Sequence, residues 1–224
     1  MMSVTHAPYR VGRWLPSDEA FRKARQQVEI ALGLDPTIPQ TIELSAELLN
    51  KMDSNATGTD EAYRRALALN PSDAYAQRTY AMYLLGKHHN QDAIGHMVEA
   101  VRLDPLSPST LTYAAYAFFQ MNSIARSQEH AKRALALDPN FPFALYVEGH
   151  LYESAGKLTE AIASFQKAVT SSGRTPKYLY ALAKVCLKAG QRPQAASILR
   201  ELEAQSATAY VPQEFIRDLS KSVN

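Results

Sequence analysis

The sequence predicts an all-α solenoid built from antiparallel helix pairs, and three observations carry the prediction. First, the phrase ALGLDP at Ala31 returns as ALALNP at Ala66, AVRLDP at Ala100 and ALALDP at Ala134. Its prolines fall at Pro36, Pro71, Pro105 and Pro139, so the steps are 35, 34 and 34 residues. Second, Ala168–Gly173 keeps the phase, with Gly173 in the proline slot. Third, each interval holds two runs of helical periodicity and no strand-like alternation. A period near 34 is that of stacked helical hairpins, each packing only on its neighbours.

The elements follow in order. Pro8 and Gly12 interrupt residues 1–17, which read as an irregular N-terminal segment. Asp18–Leu34 reads as a lone second-type (B) helix with no first-type (A) helix before it. Pro39–Met52 is an A helix, and the long polar stretch DSNATGT at 53–59 reads as its turn, which makes this first unit degenerate. The second unit shows the pattern clearly. Residues 74–86 place alanines and aromatics at helical spacing, KHHNQ links, and residues 92–103 bring Ala93, Met97, Ala100 and Val101 to one face. Asp104-Pro105 ends it, because the residue before a proline is pushed out of the α region. The same grammar covers Pro108–Pro139, Pro142–Gly173 and Pro176–Leu202, with turns at 121–123, 155–157 and 189–191. The solenoid thus spans 18–207. Residues 208–224 read as a cap and tail, with a short helix over Pro212–Ser220 whose outer face is polar.

Bulk composition excludes more than it assigns. Hydrophobic residues make up 46% of 224, enough for an elongated core. A net charge of +2 gives no electrostatic case for nucleic acid. The single Cys186 cannot form an internal disulfide. No run approaches the ~18 apolar residues of a membrane span, and the N-terminus lacks the apolar core of a signal peptide. A complete chain of this kind is expected in the cytoplasm.

The residues that hold the phase resemble the tetratricopeptide repeat (TPR) family. The fourth repeat shows Leu145, Gly149, Tyr152, Gly156, Ala161, Phe165 and Ala168 in register with the family pattern. The fifth shows Leu179, Leu182, Ala183, Cys186, Gly190, Ala195, Leu199 and Leu202, and the second Tyr80, Ala81, Leu84, Ala93, Met97, Ala100 and Pro105. The departures are Glu148, in a slot usually held by leucine, and an alanine-heavy third repeat. The resemblance implies a right-handed superhelix of about five repeats. Longer phrases, among them YAMYLLGKHHNQDAIGHMVEAVRLDPLSP and LRELEAQSATAYVP, are similar to the C-terminal TPR half of bacterial winged-helix regulators. That similarity implies an excised or shortened domain.

The resemblance also implies where a ligand lies, since TPR A helices line a concave groove. Carried onto this sequence, the groove slots are Tyr75, Arg78, Met82 and Leu85 in the second repeat and Thr112, Tyr116, Phe119 and Gln120 in the third. They continue with Phe143, Tyr146, His150 and Glu153, then Lys177, Tyr180, Lys184, Leu187 and Lys188. Helix geometry alone puts positions 177, 180, 184 and 188 within an arc of about 80° at ~100° per residue. Three lysines and a tyrosine beside an aromatic strip imply a ligand segment that is acidic or contains aromatics. Helix-A aromatics can equally be core between repeats, and a lysine stripe can be a solvated face. The carboxylate clamp of chaperone-binding TPR domains is absent, because Met82, Tyr116, Phe143 and Val147 hold its slots.

No catalytic or cofactor pattern emerges. GHLYESAGK at Gly149–Lys157 misses phosphate-loop spacing and has Leu158 where Ser or Thr is required. His88, His89 and His96 have no companion ligand set, His150 has no nucleophile at motif spacing, and Cys186 sits in a core slot. The expectation is a non-enzymatic module without cofactor or metal. It binds a peptide or partner protein, neither binds nucleic acid directly nor inserts into a membrane, and is the sensor or partner-binding part of a bacterial regulatory protein. The alternative is the substrate-selecting arm of a larger enzyme such as a protein glycosyltransferase.

Overall fold

The computed structural model describes residues 17–50 and 56–223. Among these residues are twelve α-helices and no strand. They are α1 (Ser17–Leu34), α2 (Pro39–Leu48), α3 (Ala56–Leu69), α4 (Ala74–Gly86), α5 (Asn90–Leu103) and α6 (Pro108–Gln120). The second half holds α7 (Ile124–Leu137), α8 (Pro142–Ser154), α9 (Leu158–Ser171), α10 (Pro176–Lys188), α11 (Arg192–Ser206) and α12 (Gln213–Val223). Hairpins α2–α3, α4–α5, α6–α7, α8–α9 and α10–α11 stack in chain order, α1 packs on α2, and α12 packs on α10 and α11. The predicted all-α solenoid is the fold observed. The predicted irregular segment 1–17 lies almost wholly outside the described residues.

Helix starts follow local chemistry. Proline stands at the first helical position of α2, α6, α8 and α10, where a missing N–H costs nothing. Helix α4 has no proline, and Asp73 caps it by accepting from the Tyr75 and Ala76 amides. Ends are equally local. Asp104 and Asp138 leave the helical region before Pro105 and Pro139, closing α5 and α7. The A–B turns of the four later hairpins each place one residue at positive φ, in phase along the chain: His88, Asn122, Gly156 and Gly190.

Close approach within each hairpin rests on small residues at the same period. Ala81, Ala115, Gly149 and Ala183 recur on the A helices, and Ala93, Ser127, Ala161 and Ala195 on the B helices, all buried. Ser127 uses its burial, donating from Oγ to the Ala115 carbonyl at 2.7 Å. Side chains one turn further along the B helices fill the remaining space: Met97, Ala131, Phe165 and Leu199.

The first hairpin corrects the sequence reading. The expected turn at 53–59 is too long, because α3 begins at Ala56 and includes Thr57, Gly58 and Thr59. The expected helix end at Met52 lies outside the described residues, and a π turn already replaces the α-helix at 49–50. The reason is packing phase. Ala46 and Thr59 occupy the small-residue slots one period before Ala81 and Ala93, and both are fully buried. The cap is also longer than read, running to Val223.

The N-terminal edge is still the least supported. Leu34 is 84% exposed and Ile30 half exposed on α1, while α2 buries the carboxyl of Glu43. Solenoid stability sums repeat and neighbour terms, so opening is easiest at an edge. Amides of α2 and α3 are expected to exchange faster than those of α8 and α9 in native-state hydrogen exchange. Slower exchange in α2 and α3 would contradict this.

Candidate functional site

Side chains at the expected groove slots connect neighbouring A helices into one continuous face. At its start, Tyr75 on α4 donates to a Glu47 carboxylate oxygen on α2 at 2.9 Å, and Thr79 donates to Glu43 at 2.7 Å. Arg78 lies between the rings of Tyr75 and Tyr113, 4.7 and 4.6 Å from their centroids, and donates from Nη1 to Ser109 Oγ at 2.6 Å. Its Nε is buried with no hydrogen-bond partner among the described residues.

The middle of the face is aromatic. Phe143 on α8 contacts Tyr113 and Tyr116 on α6, with centroids 5.1 and 5.6 Å apart. Tyr146 meets Phe143, His150 and, across on α10, Tyr178. Phe119 reaches His150 at 6.0 Å. These rings are half-buried, packing in part on the hydrophobic core. The two readings of the aromatics therefore meet in the same side chains. Burial pushes the Tyr146 hydroxyl up to about 12 and raises that of Tyr116. Gln120 donates to the Tyr116 oxygen at 3.0 Å.

The far end carries the lysines, and they do not form one free stripe. Lys184 bonds Asp218 of α12 at 2.8 Å. Tyr180 donates to the same carboxylate at 2.7 Å and stacks on Phe215 at 4.2 Å. Lys188 pairs with Glu153, which also bonds His150 Nδ1 at 3.0 Å. Held chiefly by the His150 hydrogen bond and then by Lys188, the Glu153 carboxyl drops to about 2. Lys177 differs. Its ammonium sits 4.5 Å from the centroids of both Phe143 and Tyr146, 5.9 Å from Tyr178, and has no carboxylate partner among the described residues. Lost hydration among the rings lowers it to about 8. The residue as a whole is exposed, so solvent screens the ammonium and weakens this effect.

Thus Tyr116, Phe119, Phe143, Tyr146, His150, Lys177, Tyr180, Lys184 and Lys188 are brought to one face. Met82 sits half-buried beside it, against the core shared by α4 and α6. Two expected slots are closed. Thr112 is fully buried, its hydroxyl turned onto the Pro108 carbonyl at 2.6 Å. Arg78 is only 7% exposed, sealed by its two tyrosines. The slot mapping also missed residues: Glu43 and Glu47, Tyr113, Tyr178 and Asp218. The two glutamates stand at the fifth and ninth positions of the α2 repeat, the same slots as Arg78 and Met82 in α4, so extending the mapping by one repeat would have found them.

Comparison with known proteins agrees with this architecture. Residues 121–202 match the family model for "Anaphase-promoting complex, cyclosome, subunit 3". A 139-residue stretch is 26% identical to the anaphase-promoting complex subunit 3 of Schizosaccharomyces pombe, covering 61% of this chain and 21% of that protein. The chain thus spans about a fifth of that relative. Among solved structures, the type IV pilus biogenesis factor PilW superposes with a TM-score of 0.70 at 21% identity, over 90% of this chain and 91% of that one. A TPR protein of Thermus thermophilus superposes with a TM-score of 0.72 at 18% identity, over 83% and 98%. The chain has the tetratricopeptide-repeat fold, and no helix among the described residues is long and apolar enough to cross a membrane.

Proposed function

We propose that the A-helix face holds a segment of a protein partner, so that the chain works as an interaction module and performs no chemistry of its own. The supporting observation is the aromatic strip of Tyr116, Phe143 and Tyr146. It runs unbroken across two adjacent A helices, reaches Tyr178 on the next, and leaves its rings only half-buried. Aromatics give large contact area at low entropic cost, and rigid stacked helices hold them in place before the partner arrives. The work belongs to this surface.

The setting we propose is docking within a larger assembly. The likeness to a subunit of the anaphase-promoting complex and to a pilus biogenesis factor supports a scaffold role. The narrower reading, a partner-binding half of a bacterial regulator, rests on the repeat phrases alone. A photo-reactive residue at Gln120, on this face, and one at Gln166, on the outward side of α9, test the proposal. The partner should crosslink in the source cell from position 120. Crosslinking from position 166 alone places the interface on the B helices.

A further inference from the structure

The proposal rests on the groove reading above and concerns what the groove selects. Charges on the A-helix face are mostly compensated at its far end: Lys184 by Asp218 and Lys188 by Glu153. The middle is not. Lys177 lies against Phe143 and Tyr146 with no carboxylate partner among the described residues. Further along the strip, Arg78 is held by Tyr75, Tyr113 and a neutral hydroxyl, also with no ion pair among those residues. The aromatic strip therefore runs between two cations that lie on rings and form no ion pair among the described residues, although Glu43 stands close enough to Arg78 to feel its charge. Arg78 is too enclosed to touch a ligand and contributes only its field. Lys177 has its ammonium over two rings, and the residue as a whole is exposed.

We propose that Lys177 is the residue by which the groove reads its partner, and that the segment it takes carries an aspartate or glutamate next to an aromatic or aliphatic side chain. The apolar side chain lies on Tyr116, Phe143 and Tyr146 while the carboxylate accepts from the Lys177 ammonium. Three features favour an anion. The ammonium lies on two rings without a counter-charge among the described residues, so a carboxylate supplies the missing partner. One ammonium balances one carboxylate. A partner's lysine or arginine would have to displace Lys177 from its rings and then face it as a like charge.

The test is peptide selection on the full chain. Random heptapeptides displayed on phage are panned against the wild type, Lys177→Met, Lys177→Arg, Lys184→Met, and the double variant Tyr116→Ala/Tyr146→Ala, each first checked for helicity. The wild type should enrich acidic residues beside aromatic or aliphatic ones. Lys177→Met should keep the apolar preference, lose the acidic one, and bind the selected peptides about tenfold more weakly. Lys177→Arg should retain the acidic preference, and Lys184→Met should not change it. Acidic selection that survives Lys177→Met, or enrichment of lysine and arginine, overturns the assignment and leaves the groove intact as a binding face. Equal enrichment on the Tyr116→Ala/Tyr146→Ala variant, or no enrichment on the wild type, overturns the groove reading itself.

Discussion

Phe165→Ala is expected to lower the stability of the fold by about 3–5 kcal/mol, the range for emptying a large aromatic from a core. The ring is fully buried between α8 and α9 and touches Tyr146 and His150. It also lies on bare backbone: a Cβ built on Gly149 would come within 2.6 Å of the ring. Where the equivalent A-helix residue is Ala115, the B-helix partner is the small Ala131, and where it is Ala81, the partner is the unbranched Met97. The large ring and the glycine are thus two halves of one contact. Gly149→Ala alone is expected to cost about 1–3 kcal/mol through overpacking. Combined with Phe165→Leu, it should cost less than the sum of the two single changes. Urea unfolding measures all of these, and a loss below about 1 kcal/mol for Phe165→Ala would contradict the packing account. The α8–α9 hairpin carries Tyr146 and His150, so binding should weaken with it.

Glu43→Gln is expected to raise stability at alkaline pH and leave it nearly unchanged in acid. Glu43 is 3% exposed. Burial is the main cause that lifts its carboxyl to about 7, aided by nearby Asp73 and Glu47 and opposed by the Thr79 hydrogen bond and Arg78. The sign follows from linkage. The folded chain holds this proton more tightly than the unfolded chain, so the group's contribution is fully present below about 4.5. It declines as pH rises and is lost above about 7. Removing the charge should therefore recover on the order of 2–3 kcal/mol at pH 8 relative to wild type. His96 and His130, pushed down by burial, act in the opposite direction across part of this window. The difference between variant and wild type at pH 5, 6, 7 and 8 is therefore the quantity to measure. A difference that does not grow with pH would refute the buried-carboxyl assignment.

The period made most of the fold legible, because it fixes helix, turn and small-residue slots together. Ala81, Ala115, Gly149 and Ala183 could be read as one row before any coordinates. The first hairpin was harder to read, since its 35-residue step and polar stretch obscure the slots that Ala46 and Thr59 still hold. Helix geometry showed which face the lysines share but not what stands opposite them. That depends on the neighbouring repeat, and the period holds the clue: Asp218 is 34 residues after Lys184, and Glu153 is 35 before Lys188. Burial at Arg78 and Thr112 was not legible, because it depends on side-chain reach across α4 and α6 and not on spacing.

The central claim is that the partner lies on the half-buried rings of the A helices. The most direct measurement is the affinity of the partner segment recovered by crosslinking for wild type, Tyr116→Ala and Tyr146→Ala, with the unfolding midpoint of each measured alongside. The account predicts losses of about 1–3 kcal/mol in binding for each variant, larger than any change in stability explains. Unchanged affinity in both variants, with the fold intact, would contradict it and move the interface to the B-helix side.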